Sequence, residues 1–284
     1  MKIDSHYQYH IYFLIFDCVI HVHCNDSELV SILEKLFKRL QLDATDRHPD
    51  LDYKIGCRGS GENRQIYIIC DDGEELVTND IGEFVFLLEK DMTIELQKIR
   101  SDLLFVHSAA LEYQGKGFLI VAPSGTGKST TTWGLLNMGA NYLSDELAPV
   151  DPKSMTVYPY PHSICLKARP PMFELPKTCL FTSQTIHVYG SIYLEKTLLK
   201  PVQINAIIFL EHRPEIKESE IFKISRGEAA MILYANSLNI LAHANSDYGI
   251  EAAISLVTNT HNYRLLSNRL DDSCNKIKSL IQSI

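Results

Sequence analysis

The chain has 284 residues, 45% apolar and 22% charged, enough to bury one large or two modest cores. Its formal net charge of -8, with no long run of Lys and Arg, gives no general attraction for nucleic acid and excludes a polyanionic partner as a class. Seven cysteines, scattered with no C-x-x-C pair and no matching histidine spacing, read as reduced thiols of a cytoplasmic protein.

In chain order, "YFLIFDCVIHVHC" at 12 to 24 is too short to span a bilayer and carries Asp17 and His21, so it reads as one buried strand near 10 to 23 and not as a membrane segment. "NDSELVSILEKLFKRL" follows as an amphipathic helix with Asn25 or Asp26 as its cap. Strand-like runs at 53–57, 64–70 and 74–79 precede a second helix near 81–98. Residues 1–100 thus form a small α/β domain without catalytic spacing, suited to packing or peptide recognition. His21, His23 and "HPDLDY" at 48–53 suggest a metal site, but no third ligand has a sensible spacing, so these histidines are treated as structural.

Residues 101–284 differ in character. "LLFVHSAALEY" and "KGFLIVA" read as two strands joined near Gln114–Gly117, followed by the loop "PSGTGKS" and a helix through "STTTWGLLNMG". Short strands in "NYLSDELAPVD" and "TVYPYPHSICLK" come next, then a Pro-rich connector, "RPPMFELP". A strand at 204–212, a helix at 225–238 opening on a Ser cap, a helix near 247–258, a strand "YRLLS" and a terminal helix from about 270 complete the order. The tyrosines of "TVYPYPHSICLK" suit either a peptide groove or a half-buried edge strand.

A P-loop wraps phosphate with backbone N–H groups and a helix N-terminus, while its Lys adds charge and its Ser or Thr binds Mg2+. Here Ser124, Gly125, Thr126, Gly127, Lys128, Ser129 and Thr130 supply those parts, but Ala122 stands where the pattern has its first glycine. A positive φ there would cost an alanine about 1 kcal/mol. Pro123 biases Ala122 toward extended backbone instead, so the strand is expected to run one residue further before turning. Seventeen residues beyond Lys128 stand Asp145 and Glu146, placed for a Mg2+ ligand or a catalytic base, and His107 lies fifteen residues before Ala122. All five, His107, Lys128, Ser129, Asp145 and Glu146, can converge on one end of a sheet.

The block "FVHSAALEYQGKGFLIVAPSGTGKSTTTWGLLNMGANYLSDELAPV" resembles the catalytic domain of the HPr kinase/phosphorylase family, whose kinase fold is similar to phosphoenolpyruvate carboxykinase. The resemblance is clear over roughly 100–170. It implies an α/β P-loop kinase domain over 101–284 that uses ATP and Mg2+ to phosphorylate a serine. By position it implies Asp145 as base, His107 as the histidine that accompanies the base, Glu146 as the second acidic residue and Ser129 as Mg2+ ligand. Three departures, Ala122, Glu146 in place of an aspartate, and "SICLKARP" where an Arg-Gly signature belongs, point away from HPr itself. The chain looks instead like the lasso-peptide precursor kinases, implying a precursor peptide or small protein as substrate, and relatives of the fold imply a homo-oligomer. A second cation for the transferred group would come from Lys167, Arg169, Arg213 or Arg226, with Arg226 favoured because "SRGE" opens a helix. A small-molecule kinase and a nucleotide-binding ATPase scaffold are the alternatives.

Overall fold

The computed structural model describes residues 7–238 and 247–284. The apolar segment at the start is a hairpin and not one strand: β1 (Tyr9–Ile15) and β2 (Cys18–Cys24) pair antiparallel across a tight turn at Phe16 and Asp17, whose φ values are 52° and 66°. Asp tolerates this left-handed region, but no Gly or Asn marks the turn in the sequence. The hairpin sets His10 opposite His23, which supplies the third histidine that linear spacing does not reveal.

Helix α1 (Ser27–Leu36) is capped by Asp26, whose carboxylate accepts from the N–H groups of Glu28 and Leu29. Asn25 is engaged elsewhere, accepting from Cys57 N–H and donating to Tyr67 Oη. After it come β3 (Gln41–Leu42), β4 (Leu51–Arg58), β5 (Gln65–Ile69), β6 (Glu75–Thr78) and α2 (Ile81–Ile99). The six strands form a sheet in the order β3-β1-β2-β4-β5-β6, antiparallel except for β2 beside β4. Period-two alternation puts Ile11, Phe13, Ile15, Ile20, Val22 and Tyr53 into a core with the buried faces of both helices. His10, Tyr12, His21, His23 and Asp52 alternate to the other face.

A second sheet begins with β7 (Leu104–Val106), β8 (Ser108–Tyr113) and β9 (Lys116–Val121), followed by α3 (Lys128–Asn137). Next are β10 (Asn141–Ser144), β11 (Ala148–Asp151) and β12 (Thr156–Val157). β13 (Ile164–Leu166), β14 (Leu180–Phe181) and β15 (Ile186–Val188) make a separate three-stranded sheet. The chain closes with β16 (Val202–His212), β17 (Glu220–Lys223), α4 (Arg226–Ala235), α5 (Tyr248–Asn259), β18 (His261–Ser267) and α6 (Leu270–Ser283).

At the centre of the second sheet β9, β16 and β18 run parallel. Their side chains alternate between two cores, which is why these strands read as continuous apolar runs. Phe118, Ile120, Ile208 and Leu210 meet α3 and α6, whereas Leu119, Val121, Ile207 and Phe209 meet α4 and α5. The fold is therefore α/β, with helices on both faces of a mixed sheet. Among the described residues, no helix is long and apolar enough to cross a membrane.

Candidate active site

The loop "APSGTGK" leaves the C-terminal end of the parallel strand β9, the end at which open α/β sheets place ligands. Gly125 and Gly127 have φ of 86° and 96°, and Gly127 caps α3, so its N–H and those after it open toward the loop's hollow. A Cβ on either glycine would meet nothing within 4 Å; the requirement for glycine is conformational, and the space above it is open. Ala122 has no positive φ and its methyl is buried among Phe118, Ile120 and Trp133. β9 ends at Val121, one residue earlier than expected, so the turn is made by the glycines and Ala122 is a core residue.

Two strand pairs break at the same level here. His107 interrupts β7 and β8, while Asp145, Glu146 and Leu147 interrupt β10 and β11; β7 pairs with β11 and β8 with β10, so the breaks face each other. Lys128, the first residue of α3, is buried against them. Its Nζ donates to the Asp145 backbone O at 2.6 Å and lies 3.2 Å from Glu146 Oε1 and 4.0 Å from Asp145 Oδ1. His107 Nε2 is 3.0 Å from Glu146 Oε2, and Ser129 Oγ donates to Glu146 Oε1 at 3.5 Å. Thus His107, Lys128, Ser129, Asp145 and Glu146 do gather at one end of the sheet, but the histidine bonds Glu146 and not Asp145.

Asp145 is fully buried, and among the described residues neither of its carboxylate oxygens has a hydrogen-bond partner. Burial pushes its pKa up, opposed by Lys128 and reinforced by Glu146. Glu146 goes the other way. Its burial is outweighed by the bond to His107 and the charge of Lys128, and it falls to about 2.

Two residues outside the motif join them. Glu89 on α2 has a buried Oε1 with no hydrogen-bond partner among the described residues, and burial together with the Glu146 charge raises its pKa to about 8. A carboxylate within the apolar stripe of Val85, Leu88 and Met92 is the sequence signal that could have marked it. His162 is buried with its Nδ1 3.1 Å from Tyr160 O, and desolvation holds its imidazole below the ordinary value.

Of the four candidate cations, Lys167 reaches the loop: its Nζ donates to Ser124 Oγ at 2.9 Å. Arg169 lies over the Phe181 ring and Arg213 pairs with Glu211 and Glu215. Arg226 is exposed at the start of α4, and among the described residues no hydrogen bond or ion pair joins it to the loop. Asn236, beyond the opposite end of that helix, is the residue that accepts from His107 N–H; ten residues of helix, about 15 Å, separate the two ends. The geometry thus favours Lys167 over Arg226. Tyr160 and His162 stack in the interior, so these two rings pack the core and do not line an open groove.

The chain matches no protein-family model and no curated protein. Among solved structures it is similar to the Hpr(Ser) kinase/phosphatase from Coxiella burnetii, at 11% identity and a TM-score of 0.35, over 63% of this chain and 94% of that one.

Proposed function

We propose that this chain is an ATP-dependent phosphotransferase that moves the terminal phosphoryl group to a serine hydroxyl of a peptide or small protein, a lasso-type precursor peptide being the first acceptor to try. The observation that carries the reading is Asp145: a fully buried carboxylate with no hydrogen-bond partner for either oxygen among the described residues, 4.0 Å from the lysine of a P-loop. A buried carboxylate left in this state costs stability, a cost that a ligand completing it would offset.

Residues 124–130 would hold the triphosphate through their N–H groups, and Lys128 would exchange its bond to Asp145 O for phosphate oxygens. Ser129, Glu146 and one oxygen of Asp145 are hard donors suited to Mg2+, and that ion, when bound, offsets the negative charge that phosphate brings to two carboxylates and one lysine. The second Asp145 oxygen is placed to take the proton of the attacking hydroxyl. His107 fixes Glu146, and Lys167 at Ser124 faces the charge that develops on the transferred group.

Incubation with ATP, Mg2+ and a serine-containing peptide should add the mass of one phosphate. Asp145→Asn should lower that transfer by about 10²–10⁴-fold while leaving ATP affinity within several-fold. Retained turnover removes Asp145 from the role of base. Phosphate release with no phosphorylated acceptor selects the ATPase scaffold, and turnover of free serine but not peptide selects a small-molecule kinase.

A further inference from the structure

On the face of the first sheet opposite its helical core, four potential metal ligands occupy neighbouring rungs of three strands. His21 and His23 are two residues apart on β2 and so point to the same side. The antiparallel register sets His10 of β1 opposite His23, and the parallel register of β4 sets Asp52 beside His21. One nitrogen from each of the three imidazoles lies within 4.8 Å of the other two. His10 Nδ1 is 3.2 Å from His21 Nε2, while Asp52 Oδ2 is 3.3 Å from His21 Nδ1 and 3.0 Å from His23 Nε2. Tyr12 stacks on the His21 ring at 4.2 Å and fixes its plane.

Burial grades across this cluster: His21 is buried, His23 half-buried and His10 exposed, so a cation can enter from the His10 side. Packing alone does not call for three basic rings around one carboxylate on a sheet face. We infer that His10, His21 and His23 form a binding site for a divalent transition metal such as zinc, with Asp52 behind His21 and His23. In a tetrahedral zinc site with bonds of about 2.0–2.1 Å, ligand atoms stand about 3.3 Å apart, which His10 and His21 already satisfy. The third imidazole has to close by about 1.5 Å at most, a side-chain adjustment.

Asp52 Oδ2 accepts from His23 Nε2 at 3.0 Å and lies 3.3 Å from His21 Nδ1, the carboxylate–histidine arrangement that fixes tautomers and leaves His21 Nε2 and His23 Nδ1 for the metal. Three imidazoles leave a fourth position for water on the exposed side. The nitrogen set also separates this site from the oxygen donors around Asp145: imidazole suits zinc and other transition metals, whereas carboxylate and hydroxyl suit magnesium. The inference is independent of the phosphotransferase reading.

Cobalt(II) is the probe. The full chain, held in excess Mg2+ so that oxygen sites are filled, is titrated with Co2+ while visible absorption is followed. One equivalent should develop the intense bands of a tetrahedral site, and Zn2+ should displace them. His10→Ala should weaken binding at least tenfold and Asp52→Asn by about 10–100-fold, whereas Asp145→Asn should leave the spectrum unchanged. The buried His21 stays in place so that the sheet keeps its packing. Absence of tetrahedral absorption in the unaltered chain overturns the inference, and so does a signal that survives His10→Ala combined with His23→Ala.

Discussion

Glu89, Asp145 and Glu146 are three carboxyl groups that interact across one site, and their surroundings pull them apart. Glu146 accepts from its neighbours and titrates at about 2, so its contribution to stability is present above its unfolded value of 4.5 and is lost as pH falls toward 2. Glu89 has the opposite sign. Its folded value of about 8 lies above the same unfolded value, so the stability tied to its protonated form is full below pH 4.5 and is lost as pH rises through about 8. Glu89→Gln should therefore gain on the parent steadily between pH 4.5 and 8, with a constant difference above that. Thermal melts of both proteins across this range check it, and a gap that does not change with pH would remove the buried-acid reading. Lys128, Ser129, Asp145, Glu146 and His107 were legible because loop, helix and strand ends place them locally, within forty residues. Glu89 was not, because its approach to Glu146 depends on how α2 packs, and helical periodicity gave that face only a packing role. Lys167 was one of four candidate cations, with Arg226 preferred to it, until the fold set Lys167 beside Ser124.

At the level of elements, the loop tests whether Ala122 is a defect or a core residue. Gly127 holds φ at 96°, where a side chain costs about 1–2 kcal/mol, so Gly127→Ala should lower stability by about that amount and weaken nucleotide binding by displacing the N–H groups. Ala122→Gly should do something different. It removes a buried methyl and adds unfolded-state freedom, costing about 1 kcal/mol, with nucleotide affinity held within twofold. Chemical denaturation alongside nucleotide titration separates the two, and a tenfold gain in affinity from Ala122→Gly would show the alanine to be a lesion. Helix starts were legible and ends less so: Ser225 caps α4 as read and Asp26, one of two candidates, caps α1, but α4 stops at Ala235, short of the expected 238. Hairpins were legible only where glycine wrote them. Gln114 and Gly115 turn β8 into β9 with φ of 53° and 81°, but the same geometry at Phe16 and Asp17 was hidden by an aromatic residue, and with it the pairing of His10 with His23.

For the whole molecule, what that aromatic does explains why it tolerates a left-handed backbone. Phe16 at the tip of the first hairpin is buried against Phe105 and Tyr160, with ring centroids 5.7 and 5.4 Å away, and Arg100 donates to its carbonyl. The core of the first sheet also takes in Leu103, Leu147 and Tyr189, so apolar packing runs without a break across residue 100. Strand order was beyond the sequence for a related reason: β16 is inserted between β9 and β18 by pairings such as Ile204 with Gly117 and Ala206 with His261, 87 and 55 residues apart in the chain, and local pattern carries no information about partners at those distances. A shared core has a thermodynamic signature, because neither part can unfold without exposing apolar surface of the other. The full chain should melt in a single cooperative transition. Residues 101–284 made alone would leave Phe105, Leu147, Tyr160 and Tyr189 without the side chains that cover them, and should bind a hydrophobic dye such as ANS and lose near-ultraviolet circular dichroism. Two resolved transitions in the full chain, or a native-like spectrum from 101–284 alone, would mean that the two sheets fold as independent units and that the Phe16 contact only docks one on the other.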